Sequence, residues 1–217
     1  MALTNIDKIM KILSKKYIST SNTTLNRMRE KPDPFKVLIA CLLSLRARDE
    51  NTEKVSTKLF QVIDTPEQLI QIPIKELEKI IFSSGHYKKK ASTLKHVSKE
   101  LIEKFNSIVP KTREELLSIK GIGPKTANIV LAFAYDQIVL PIDTHCHRIP
   151  NRLGWVKTKT AEKTELELIK ILPKHYWKNF NAIFVQFGRE LCQPISLWCS
   201  KCPINKYCPR INVQKSR

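Results

Sequence analysis

Long apolar runs are missing from this chain. No stretch approaches the ~18 consecutive apolar residues of a membrane span, and the opening Met1-Ala2-Leu3-Thr4-Asn5-Ile6-Asp7 lacks the basic start and apolar core of a secretion signal. The expectation is a soluble cytoplasmic protein, nucleoid-associated if the source is prokaryotic, with no membrane partner. Strand-forming runs are nearly absent too. The one candidate, Ile138-Val139-Leu140-Pro141-Ile142, is short, carries a proline and has no obvious pairing partner, so it reads as an extended connector. Repeats, low-complexity tracts and long linkers are lacking, which argues against a solenoid or a disordered chain. Acidic residues are few: 20 Asp and Glu stand against 38 Lys and Arg, a formal charge of +18 in 217 residues. An excess of that size concentrates polyanions at the surface. Nucleic acid is the leading partner on this count, with a merely lysine-rich surface as the alternative.

What remains is helical. Ile6, Ile9, Met10 and Leu13 mark a first amphipathic helix; Phe35, Leu38, Ile39, Leu42 and Leu43 a second, with Pro34 suited to its first turn; Val55, Leu59, Phe60 and Ile63 a third. Further helices are expected near 66–71, 74–83, 88–106, 112–118, 124–135, 144–153, 160–172 and 175–190, with Thr65-Pro66 and Thr112 ahead of Glu115 as start signals. The fold class is therefore all-α. With 42% hydrophobic residues the chain can bury one large core or two modest ones. The tail Val213 to Arg217 is expected to fray.

Four cysteines, Cys192, Cys199, Cys202 and Cys208, follow the spacing C-x6-C-x2-C-x5-C. They hold a single Cys-x-x-Cys pair between Pro194 and Pro203, whereas a zinc ribbon or finger sets two knuckles well apart. Four thiolates so close together favour an iron–sulfur cluster over zinc, disulfides or unpaired thiols. The other two cysteines, Cys41 and Cys146, are expected to be reduced.

The segment Leu116 to Val130 contains Gly121-Ile122-Gly123-Pro124-Lys125 between two helical patterns. Proline suits the first turn of the second helix, and two glycines allow a tight reversal. The reversal leaves the amides of Gly121, Gly123 and Lys125 at the positive end of a helix dipole, where a phosphate binds. Contacts of this kind position a duplex without reading its sequence. An ordinary helix–helix turn is the plainer reading. Further on, Asp143 precedes a helix in Pro141-Ile142-Asp143-Thr144-His145-Cys146-His147-Arg148, where it suits an N-cap as well as it suits catalysis. His145 and His147 lack two further ligands nearby and read as polar structural or DNA-facing groups.

Together these segments resemble the endonuclease III family of helix-hairpin-helix DNA glycosylases. The resemblance runs through Leu38-Ile39-Ala40-Cys41-Leu42-Leu43-Ser44, Gly85-His86-Tyr87 with Lys90-Ala91, the hairpin from Gly121 to Asn128, Asp143-Thr144-His145 and the four-cysteine loop, in that order. It implies a six-helix barrel near 27–136. It also implies a second helical domain from 1–26 plus 137–217 that carries a 4Fe-4S cluster on Cys192, Cys199, Cys202 and Cys208, with duplex DNA across the cleft between the two and a monomer as the working unit. The implied activity is that of a bifunctional DNA glycosylase and AP lyase. Lys125 is the nucleophile that attacks the sugar and Asp143 the carboxylate that stabilises the charge developing there. The implied substrates are oxidised pyrimidines and abasic sites. A monofunctional mismatch glycosylase and a non-enzymatic iron–sulfur DNA-binding protein are the alternatives, and a lysine at 125 favours the lyase. Gly121, Gly123 and His145 are the implied DNA contacts. Arg46 stands where bacterial members have a glutamine that fills the gap left by a flipped base, and His86 stands at the apolar wedge. The loop between Cys192 and Cys199 has no basic residue, so phosphate contacts there would fall to Lys201, Lys206 and Arg210.

Overall fold

The computed structural model describes residues 5–18, 24–28, 31–47 and 49–217. Their helices are α1 (Ile6–Tyr17), α2 (Thr24–Arg27), α3 (Pro34–Ser44), α4 (Asp49–Leu59), α5 (Pro66–Gln71), α6 (Ile74–Ile80), α7 (Tyr87–Phe105), α8 (Arg113–Ser118), α9 (Pro124–Ala134), α10 (Thr144–Arg152), α11 (Ala161–Ile171) and α12 (Trp177–Glu190). No β-strand occurs among the described residues. The fold is all-α, as the missing strand signals implied. The starts are set by local chemistry. Asp33 accepts from the Lys36 amide at 3.0 Å ahead of Pro34, and Thr65 forms a capping box with Gln68 ahead of Pro66. The four-residue α2 has no counterpart in the sequence reading, because one turn is too short to show a period.

The chain divides into two compact units, one of residues 22–137 and the other of residues 1–21 with 138–217. In the first unit α3 is central and packs against α2, α4, α7 and α9. Burial on every side of α3 explains why Val37 through Leu43 read as an unbroken apolar run rather than a stripe. Helices α5 and α6 lean on α7, and α8 and α9 form a hairpin. Fully burying each of these large aliphatic chains stabilises the unit by roughly 1.5–3 kcal/mol.

In the second unit α12 packs against α1 and α10, and α10 against α11. Ile9, Met10 and Leu13 of α1 meet Phe180, Phe184 and Phe187 of α12 in one core, with the rings of Phe180 and Phe184 stacked at 4.1 Å. Leu140 and Ile142 enter the same core, which ties the extended connector to the unit and delivers the chain to Asp143. The tail does not fray as expected. The Arg217 amide donates to the Leu197 carbonyl at 2.6 Å, the Arg217 carbonyl accepts from the Ser200 amide at 2.9 Å, and its guanidinium lies 4.7 Å from the centre of the Trp198 ring. Pairing with the cysteine loop supplies partners that the sequence of the tail alone does not reveal.

Candidate functional site

The hairpin between α8 and α9 uses its two glycines differently. Gly121 has φ +108, and a Cβ there would lie 2.9 Å from Cγ2 of Thr93 on α7, so this position needs glycine for conformation and for packing. Gly123 has φ −99 and open space where a Cβ would be, so only a close approach from outside gives a reason for glycine. Its carbonyl accepts from the Ala127 amide at 2.9 Å, and the Ile122 amide donates to Ile119 at 3.1 Å. Those bonds leave the amides of Gly121 and Gly123 unused among the described residues, and both glycines are exposed. Ile122 is buried and anchors the turn. Lys125 follows in the first turn of α9, half-buried. Its charge reaches α3: the thiol of Cys41, pushed up by burial, is pulled the other way by Lys125 and by a hydrogen bond from Thr126.

In the same unit Arg46 and His86 are both exposed and both left-handed, at φ 54 and φ 49, a region that histidine tolerates better than arginine. Arg46 follows the end of α3; His86 follows Gly85 (φ +65) and opens α7 without a side-chain cap. The structure brings these two segments to one side chain. Lys90 of α7 is 8% exposed, and its ammonium donates to the Leu43 carbonyl and to the Ser84 carbonyl, each at 2.6 Å. Burial pushes its pKa down to about 8. Arg48, beside Arg46 in sequence, lies outside the described residues.

Asp143 caps α10 in the second unit. Its Oδ1 accepts from the amides of His145 at 2.9 Å and Cys146 at 2.8 Å, so both capping bonds fall on one oxygen. His145 is half-buried, and its Nδ1 lies 3.1 Å from Nη2 of Arg148. It sits directly on α12, where a Cβ at Gly188 would be 2.2 Å from that nitrogen. His147 pairs with the Thr164 hydroxyl at 2.6 Å, a structural bond between α10 and α11.

Helix α10 also grips the cysteine loop. Arg148 donates to the Cys192 carbonyl at 2.7 Å. Arg152, 9% exposed, donates to the carbonyls of Gln193 at 2.7 Å and Pro194 at 2.9 Å, and its Nη1 lies 3.4 Å from the Cys192 sulfur. The sequence reading passed over both arginines. Their spacing of four on one helix was the available sign, but their partners are carbonyls some forty residues on.

All four loop cysteines are free thiols, half-buried around one cavity with Ile149, Leu153 and Trp198. No three His, Cys, Asp or Glu side chains among the described residues converge on a point as ligands of a single ion. Burial pushes Cys202 up to about 11, and the neighbouring sulfurs of Cys192, Cys208 and Cys199 add to the rise. Lys201 lies 4.6 Å over Trp198, Lys206 lies 4.9 Å over Tyr207, and Arg210 donates to Asn205 at 2.7 Å, so each cation proposed for phosphate has a partner inside the loop. No helix among the described residues is long and apolar enough to cross a membrane.

The family pattern of the HhH-GPD superfamily base excision DNA repair proteins matches residues 39–174. The chain belongs to that superfamily. It is 47% identical to the Endonuclease III of Thermotoga maritima over 182 residues, 84% of this chain and 85% of that one. Among solved structures, a trapped Endonuclease III–DNA covalent intermediate, the estranged-adenine complex, superposes with a TM-score of 0.88 at 31% identity, covering 97% of each chain. A thermostable thymine-DNA glycosylase superposes with a TM-score of 0.83 at 22% identity, covering 95% of this chain and 96% of that one, a likeness of fold alone. Within this superfamily chain, Lys125, the hairpin glycines, Arg46 and His86 belong to the first unit, and Asp143, His145 and the four cysteines to the second.

Proposed function

We propose that this chain is a bifunctional DNA glycosylase and AP lyase of base excision repair, acting on oxidised pyrimidines and on abasic sites in duplex DNA, as a monomer in the cytoplasm or on the nucleoid. The observation that carries the reading is Lys125 in the first turn of α9, directly after an exposed glycine hairpin, in a chain similar along its length to a trapped Endonuclease III–DNA covalent complex. The hairpin amides hold a phosphate, which sets the register of the duplex. The damaged nucleotide is extruded, at a cost of a few kcal/mol that is smallest for damaged pairs. The Lys125 amine then forms a bond to the sugar C1′ as the bond to the base breaks. Asp143 stabilises the positive charge on the sugar, using the oxygen not engaged in capping. The sugar ring then opens as the C1′–O4′ bond breaks and O4′ takes up a proton, giving a Schiff base that acidifies C2′. Loss of a C2′ proton expels the 3′ phosphate by breaking the C3′–O bond and leaves a nick on the 3′ side of the lesion.

The cysteine loop fits a 4Fe-4S cluster. Four free thiols line one cavity, and the repulsion that would arise among them as thiolates is offset by a cationic centre that replaces their protons. Cys192, Cys199, Cys202 and Cys208 would hold it, and its contribution is to order a loop with little apolar periodicity. Arg148 and Arg152 hold the entrance of that loop to α10, the helix that Asp143 heads.

Two duplexes test the proposal, one with a single abasic site and one with thymine glycol. The account expects the first to be nicked and the second to lose its base and then be nicked. Base removal without nicking would assign a monofunctional glycosylase. Binding without either reaction would assign a non-enzymatic DNA-binding protein.

A further inference from the structure

We propose that Lys90 is a positioning residue for damage excision, its ammonium stapling together the two loops that carry Arg46 and His86. The inference rests on the reading that those two side chains take the space of an extruded nucleotide. Leu43 is in the last turn of α3, where carbonyls lack helical partners, and Arg46 comes three residues later. Ser84 ends the short turn before Gly85, and His86 comes two residues later. Lys90 donates to the carbonyls of both, each at 2.6 Å, from a site that is 8% exposed. One cation thus fixes two chain segments that lie about forty residues apart in sequence.

The strain at those segments gives the staple its purpose. Arg46 and His86 both adopt φ near +50, a conformation that costs a non-glycine residue on the order of 1–3 kcal/mol, less for histidine than for arginine. Such conformations persist only when the surroundings over-determine them. No side chain caps α7 at His86, whose carbonyl accepts from the Lys90 amide at 3.0 Å, and the Arg46 turn has two backbone bonds, Leu45 to Leu42 at 3.4 Å and Ala47 to Ser44 at 3.1 Å, neither of which ties it to the His86 loop. The Lys90 ammonium supplies the bond that joins the two places. Without it each loop relaxes toward an ordinary conformation, and Arg46 and His86 leave the positions from which they replace a flipped base. Lys125 and the hairpin lie on α9 and the turn before it, which Lys90 does not bond, so cleavage of a site that has no base to extract is largely spared.

The test is Lys90→Met, which nearly keeps the length and removes the donor, with Lys90→Gln as a second variant that keeps an uncharged amide donor on a shorter stem if methionine prevents folding. The expected result is a fall of about tenfold or more in thymine glycol excision, a change within about threefold in abasic-site cleavage, and a smaller excision loss for Lys90→Gln. Adding Lys90→Met to the Arg46→Ala/His86→Ala double variant should bring little further loss, since positioning has nothing left to position. Hydrogen exchange of the unliganded protein should show lost protection at residues 44–47 and 84–87 together. Equal losses on both substrates, full additivity in the triple variant, or unchanged exchange at either loop would overturn the proposal. If the unmodified protein neither excises nor nicks, the functional reading fails, and the exchange result still decides whether Lys90 fixes the two loops.

Discussion

The two units secure their functional residues by opposite means. In the unit of residues 22–137, Lys125 and the hairpin rest on helices that pack completely, with α3 buried on all sides and Ile122 closing the turn. In the other unit Asp143 heads a helix whose far end holds a cysteine loop with almost no regular structure, gripped by Arg148 and Arg152. The first unit needs only its own core. On the proposed reading the second needs its thiols to be ligated, because neighbouring half-buried sulfurs repel one another once ionised and the loop that carries them has little regular structure. On that reading, the unit that carries Lys125 is self-sufficient and the unit that carries Asp143 depends on a cofactor.

The sharpest way to break that contrast is Cys202→Ser. Losing a cluster ligand should lower the midpoint of thermal unfolding by roughly 10 °C or more, the shift that about 4 kcal/mol produces in a chain of this size. Hydrogen exchange should open α10, α12 and the loop while α3 and α9 keep their protection. The purified parent protein should hold about four irons. Stoichiometric zinc without iron, or uniform loss of protection across both units, would erase the distinction.

Next in size is Asp143→Asn. Asparagine caps helices as well as aspartate does, so α10 should persist and only the charge is lost. Base excision should fall on the order of 100-fold, the scale of one preorganised electrostatic group, with DNA binding reduced much less. An unchanged rate would leave Asp143 as a cap and nothing more.

The hairpin's two glycines give a smaller and more pointed test. Gly121→Val combines a positive φ with a 2.9 Å clash against Thr93, so it should cost about 2 kcal/mol or more of stability in urea unfolding. Gly123→Val meets nothing within 4 Å and has an ordinary φ, so folding should be nearly unaffected while binding to all duplexes weakens. Reversed outcomes would exchange the roles assigned to the two positions.

Much of this was legible in the sequence. The period of Ile6, Ile9, Met10 and Leu13, and the Thr65-Pro66 and Thr112 start signals, mark helices that the structure contains, because amphipathic spacing and capping are local. Asp143 as an N-cap was equally local. What escaped depends on distant backbone. Arg148, Arg152 and one of the two bonds of Lys90 act on carbonyls more than forty residues away, and no pattern of side chains announces a carbonyl. The expectation that both hairpin glycines serve the reversal was half right, since the backbone asks it of Gly121 alone. Nothing in the local sequence foretold a left-handed Arg46, because arginine is not a residue type that favours that region; His86 is one of the few types that tolerates it, a weak signal by itself.

The smallest effect expected concerns pH. Burial lowers the Lys90 pKa to about 8 against the usual 10.5, so the folded chain binds fewer protons than the unfolded one between those values. Stability contributed by this group therefore rises with pH through that window, its burial penalty being fully present below about pH 8. Compared by urea unfolding at pH 7.5 and 9.5, the parent should gain stability relative to Lys90→Met. Parallel behaviour of the two would mean that the lysine titrates at its ordinary value.

The central claim is that Lys125 is the nucleophile, and covalent trapping tests it most directly. With borohydride present during turnover of an abasic-site duplex, the parent protein should form a stable protein–DNA adduct. Lys125→Gln should form none and should not nick, while retaining its helical content and iron. An adduct that persists in Lys125→Gln would move the nucleophile elsewhere and contradict the account.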